Sequence, residues 1–153
     1  MDQGRRDTLR ISGVLGLAIA AGLISPLDAF ADEWNKSAFE AKNYNDATKG
    51  MGASLIVPSK DVVLNAPDIA ENGAVVPLTV STALPNVQQI AILIEKNPNT
   101  LSANFTIPSG TEPSISTRVK MRQTSNVYAL IKVNGKWLMA SKEIKVTLGG
   151  CGG

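Results

Sequence analysis

Apolar and polar positions alternate most regularly in the C-terminal third of the chain. Ile115, Thr117, Val119 and Met121 interleave with Ser114, Ser116, Arg118, Lys120 and Arg122, which predicts a strand with one buried and one polar face. Val127–Val133 and Lys136–Ala140 read as two more strands, joined by Asn134-Gly135. That pair suits the two φ > 0 positions of a type I′ hairpin turn. Upstream, shorter β-type segments near Val62–Leu64, Ala74–Ser81, Gln89–Glu95 and Ala103–Ile107 are punctuated by proline. Every proline after Pro26 lies between Pro58 and Pro113. Ahead of them, Trp34, Ala38 and Ala41 recur at helical spacing with Phe39 beside them. This predicts a helix over Glu33–Lys49, capped by Asp32 and ended by Gly50 and Gly52. About seven short strands at this spacing make a mainly β chain. The expected fold is an immunoglobulin-like antiparallel β-sandwich with a short N-terminal helix and a flexible C-terminal arm.

The first 31 residues have a different pattern. Arg5-Arg6 and Arg10 precede the apolar run Ile11–Ile24, and Ala29-Phe30-Ala31 fits the small-x-small rule for signal-peptide cleavage. The run is shorter than the roughly 20 residues a membrane span requires. A removed export signal is therefore expected, and the arginine pair points to the bacterial twin-arginine route, which exports folded proteins. Thr8 departs from the bulky residue often found there, and an ordinary secretory signal with a chance Arg-Arg is the alternative. The organisation that follows is a signal peptide over 1–31, a β-sandwich domain over 32–148 and an arm over 149–153. A periplasmic location without membrane attachment is expected after cleavage.

Composition narrows the chemistry. The chain has one cysteine, Cys151, and no histidine. One thiol cannot close an intramolecular disulfide, and zinc or copper sites built from Cys/His clusters are excluded. Ser-His-Asp and Cys-His nucleophilic arrangements are excluded as well. The expectation is no enzyme activity, cofactor or metal of its own. The formal net charge is +2, and the segment 1–31 carries three arginines against three aspartates, so its removal leaves that charge unchanged. Such a balance does not argue for a nucleic-acid partner. Arg118, Lys120 and Arg122 form a basic stripe, read either as an ordinary solvated face or as a contact for a partner or an anionic substrate. Asp68 and Glu71, followed by Asn72-Gly73, read as a polar turn rather than an acid/base pair.

The informative segment is Gly149-Gly150-Cys151-Gly152-Gly153, directly after a β-type stretch. Glycine lacks a Cβ and accepts φ of either sign, so Gly149, Gly150, Gly152 and Gly153 do not hold a fixed conformation unaided. Fully extended, the segment reaches roughly 17 Å beyond Leu148. A thiol on so thin a stalk can enter a deep cleft on another protein. An exposed cysteine has a pKa near 8.5, so about 3% is thiolate at neutral pH. Activation must then come from the sites it visits. Prenylation and lipoprotein patterns do not fit a cysteine two residues from the end. Ubiquitin-like sulfur carriers also end in Gly-Gly, but their activation needs ATP and their fold a helix between hairpins. Two other readings of the same residues stay open: a non-covalent β-sandwich binding or adhesion module, and a thiol redox sensor that dimerises through Cys151.

The terminal pentapeptide behind a twin-arginine leader, with Glu71–Pro77 and Tyr128–Trp137 in support, resembles the SoxY family. These are the sulfur-compound carrier subunits of the bacterial Sox thiosulfate-oxidation system. The resemblance implies covalent attachment of sulfur intermediates to Cys151 and a heterodimer with a second β-sandwich subunit, SoxZ. It also implies three kinds of client: a haem-containing enzyme that conjugates thiosulfate to the cysteine, a sulfohydrolase that releases sulfate, and in some organisms a sulfane dehydrogenase. An apolar patch for the second subunit is expected opposite the Arg118–Arg122 face or at an edge of the sandwich.

Overall fold

The computed structural model describes residues 35–149. Residues 1–34 and 150–153 lie outside the described residues, and with them the expected signal peptide, the Asp32 cap, the start of the expected helix at Glu33, Trp34 and Cys151.

Two short helices open the described chain, α1 (Lys36–Phe39) and α2 (Tyr44–Gly50). The single helix expected over Glu33–Lys49 is thus interrupted. The cause is local: the side chain of Asn35 accepts a hydrogen bond from the Ala38 N–H and that of Asn43 from the Asp46 N–H. Each asparagine starts a new helix, and Asn43 sits in extended backbone (φ −145°, ψ 166°), which ends the helical path before it. The apolar spacing across the break survives because both helices lay small residues on the same sheet. The two glycines at the end of α2 have different jobs. Gly52 takes φ +70°, while Gly50 is packed so closely on α1 that an added Cβ would stand 2.8 Å from backbone atoms of Ala38.

Nine strands follow: β1 (Ile56–Pro58), β2 (Val63–Asn65), β3 (Ile69–Ala70), β4 (Val76–Ser81), β5 (Val87–Ile94), β6 (Leu101–Thr106), β7 (Ser114–Val119), β8 (Ser125–Val133) and β9 (Lys136–Val146). One sheet runs β1-β9-β8-β5-β6, with β3 also on β9, and the other runs β2-β4-β7. Pairing is antiparallel except where β1 and β3 join β9 in parallel. The immunoglobulin-like sandwich is as expected, with these two short parallel additions. Asn134 (φ 48°) and Gly135 (φ 77°) form the hairpin between β8 and β9, placing Val133 opposite Lys136.

The core lies between the sheets. Val76, Leu78 and Val80 of β4 meet Ile90, Ile92, Val127, Ile131 and Ile144 of the larger sheet. A second cluster lies on the outside of that sheet, where Ala38, Ala41, Ala47 and Ala53 cover Leu93, Leu130 and Trp137. Strands β5 and β8 are consequently buried on both faces, which is why Ile90–Ile94 is one unbroken apolar run instead of an alternation. Each large aliphatic side chain buried there contributes about 1.5–3 kcal/mol.

Candidate functional site

The site is the place where β9 ends. Backbone hydrogen bonds tie the strand to its neighbours almost to the last described residue. The Lys145 N–H donates to the Asp68 carbonyl (3.0 Å) and the Thr147 N–H to that of Ala70 (3.1 Å). The Leu148 carbonyl then accepts from the Gly73 N–H (2.8 Å), and the Gly73 carbonyl accepts from the Met121 N–H (2.6 Å). On its other side the Val146 N–H donates to Thr124 Oγ1 (3.0 Å). Gly149 follows, exposed and outside any regular element. The chain is therefore clasped up to Leu148, and the Gly149–Gly153 segment begins where the clasp stops. Gly150, Cys151, Gly152 and Gly153 lie beyond the described residues.

Asp68 forms an ion pair with Lys142 (2.9 Å), which also donates to the Ala66 carbonyl, and the Glu71 carbonyl accepts from Thr147 Oγ1. Asp68 and Glu71 thus make structural contacts, but Ile69–Ala70 between them is strand β3, so the polar turn is confined to the residues from Glu71 onward. The clasp itself, made by Gly73, Thr124 and the backbone of 68–70, carries no side-chain chemistry in the sequence beyond the turn signal of Asn72-Gly73. Arg118, Lys120 and Arg122 are exposed, as the alternation predicts, while Val119 and Met121 are buried. Lys120 and Arg122 flank the residue that closes the clasp. Among the described residues, no group of three or more Cys, Asp or Glu side chains is placed to hold a metal, and no helix is long and apolar enough to cross a membrane.

Exposed large apolar side chains gather in two places. Leu55, Val57 and Val63 lie on or next to β1 and β2, which form one edge of the sandwich; Ile69, Val75 and Leu148 surround the end of β9. The outer face of the larger sheet is covered by α1 and α2, so the exposed apolar surface sits at the edge and not on that face. A separate groove of about 420 Å³, lined by Pro85, Pro108 and Pro113 among others, opens at the Asn134-Gly135 pole. It lies a full strand length from Leu148.

The fold is a small immunoglobulin-like β-sandwich, and the sequence that follows Leu148 carries one cysteine framed by glycines. The family described as sulfur oxidation protein SoxY matches residues 47–151, a stretch that takes in Cys151. This chain belongs to the SoxY family. Its structure is similar to that of the sulfur carrier protein SoxY from Chlorobium limicola f thiosulfatophilum, with 34% sequence identity over 68% of this chain and 94% of that one and a TM-score of 0.61. A superoxide reductase (neelaredoxin) from Ignicoccus hospitalis shares the fold at 21% identity, covering 56% of this chain and 79% of its own, with a TM-score of 0.51. No curated protein matches the chain.

Proposed function

We propose that this chain is a periplasmic carrier that holds sulfur intermediates of thiosulfate oxidation covalently on Cys151 and presents them to partner enzymes. The observation that carries the reading is the change at Leu148. A strand clasped on both sides gives way to a segment whose only side chain beyond the backbone is one thiol. A fixed root and a thin glycine stalk let a nucleophile enter another protein's cleft without unfolding its own domain. The family match, and the description of the Chlorobium protein as a sulfur carrier, point the same way.

In loading, Cys151 Sγ and the sulfane sulfur of thiosulfate form a disulfide bond, giving Cys–S–S–SO3⁻. The thiol proton passes to solvent, and two electrons leave one at a time to the haem-containing conjugating enzyme, which would supply the oxidant. Water then cleaves the terminal S–S bond at the sulfonate, releasing sulfate and leaving a persulfide on the cysteine; this is the sulfohydrolase step. Where a sulfane dehydrogenase is present, it oxidises the remaining sulfur. The chain contributes attachment and delivery, and the catalytic groups belong to its partners. A SoxZ-like second subunit fits the exposed β1–β2 edge, where Leu55, Val57 and Val63 offer apolar contact.

Mass spectrometry after incubation with thiosulfate and the partner enzymes is expected to show an adduct of two sulfurs and three oxygens on Cys151. Cys151→Ser should abolish loading and turnover with the fold and partner binding unchanged. An unmodified cysteine in active extracts, or full function after deletion of Gly149–Gly153, would favour the adhesion-module reading. A disulfide dimer formed by peroxide, with a functional readout of its own, would favour the redox sensor.

A further inference from the structure

Two Asn-Gly pairs occur in the chain, Asn72-Gly73 and Asn134-Gly135. This dipeptide is open to a reaction of its own. With no side chain on the glycine, the glycine backbone nitrogen can reach the asparagine side-chain carbonyl, and asparagine is one of the residues most easily lost to such chemistry. The fold treats the two pairs differently. At Asn134-Gly135 the glycine N–H donates to Gln88 Oε1 (2.8 Å). The turn also closes a ladder of nine facing residue pairs between β8 and β9. Its amide is freed only when that ladder opens from the hairpin end.

At Asn72-Gly73 the asparagine is exposed while Gly73 is buried. Asn72 Oδ1 accepts from the Ala74 N–H (2.9 Å), a contact that draws electron density from the side-chain carbonyl carbon and makes it a better target for a nucleophile. Gly73 is held through its N–H on the Leu148 carbonyl and through its carbonyl on the Met121 N–H. Leu148 lies past the last residue of β9, and the ladder that supports it there, β3 on β9, has two residue pairs. Strand ends and short ladders open at lower free energy than the centre of a sheet. The nucleophile beside Asn72 is thus guarded by a weak latch, and the one beside Asn134 by a strong one.

We infer that Asn72 is a site of spontaneous deamidation, with water as co-reactant, and that opening of the Gly73–Leu148 hydrogen bond sets its rate. The Gly73 nitrogen gives its proton to solvent and bonds to Asn72 Cγ. The Cγ–Nδ2 bond breaks, ammonia leaves with a proton from solvent, and a succinimide ring closes. Water then opens the ring. Attack at Cγ gives aspartate; attack at the main-chain carbonyl of Asn72 gives isoaspartate, in which the backbone runs through the former side chain. Both products add a carboxylate beside Glu71. Isoaspartate also lengthens the main chain by a methylene just before Gly73, so Gly73 no longer meets Leu148 and Met121 together. Each opening of the latch therefore risks a permanent slackening at the end of β9. The inference does not depend on the carrier reading.

The test ages the folded protein in warm, mildly alkaline buffer. Peptide mapping by mass spectrometry follows the exchange of ammonia for water at each asparagine, and an isoaspartyl methyltransferase reports isoaspartate. Product is expected to accumulate at Asn72 about tenfold faster than at Asn134, or more. In urea the two rates should converge, since both glycine amides are then free. Thr124→Val, which loosens the end of β9, should speed the reaction at Asn72 and leave Asn134 unchanged. Equal rates in the folded chain, or faster loss at Asn134, would overturn the site. A preference for Asn72 that persists in urea, or no acceleration in Thr124→Val, would overturn the role of the latch. The isoaspartate fraction, separated by ion exchange, should show faster amide exchange at Gly73 and Met121. Asn72→Asp carries the charge without the extra methylene and should keep the slow exchange. Unchanged exchange in the isoaspartate fraction, or equal loss of protection in Asn72→Asp, would overturn the slackening by a lengthened backbone.

Discussion

Gly50 shows how much one hydrogen atom in place of a methyl group can decide. Its Cα faces the backbone of Ala38, and Asn35 Nδ2 donates to its carbonyl (2.7 Å), so α1 and α2 touch with no side chain between them. Gly50→Ala is expected to destabilise the domain by about 1–3 kcal/mol, the usual cost of overpacking, measured by urea denaturation. Gly52→Ala meets no neighbour and should cost about 1 kcal/mol, from the left-handed backbone alone. At the root of the arm, Thr124→Val removes the acceptor for the Val146 N–H. Amide exchange at Val146 should quicken, with a stability loss of about 1 kcal/mol. Of the candidate site, Cys151 was legible because a sole thiol among glycines stands out by composition. Gly73 was not, because a backbone N–H leaves no mark in the side-chain pattern.

Elements differ in how far local sequence determines them. The β8–β9 hairpin was readable since Asn134-Gly135 is one of few pairs that adopt φ > 0 twice, and the β7 alternation was readable since one face is buried and the other solvated. The two- and three-residue strands β3 and β1 were not, because they exist only by pairing with β9. The extension of β9 to Val146, well past Ala140, has the same origin. The break between α1 and α2 escaped the helical spacing because an asparagine side chain competing for backbone N–H groups outweighs apolar periodicity over so short a stretch. Asn43→Ala removes the α2 cap and should cost about 1 kcal/mol, read as a lower denaturation midpoint.

Across the whole molecule, the helical cover and the larger sheet meet at Tyr44 and Tyr128, whose ring centroids stand 4.8 Å apart. Burial foremost, followed by the charge of Tyr128 for Tyr44 and of Glu95 for Tyr128, raises both phenol pKa values above the ordinary value near 10. The folded chain therefore keeps these protons more tightly than the unfolded one. Their contribution is intact below about pH 10 and is lost as pH rises through the raised values. The denaturation midpoint should fall at alkaline pH, and Tyr44→Phe/Tyr128→Phe should flatten that fall. The clasp at Leu148 has a consequence at this scale too. Under the carrier reading, every client must bring its catalytic pocket to a shell about 10 Å deep around one anchored point. Bodies of protein size cannot share so small a volume, so clients exclude each other by bulk alone, and the order of the sulfur reactions can be kept by simple queuing, with no signal passing between the enzymes.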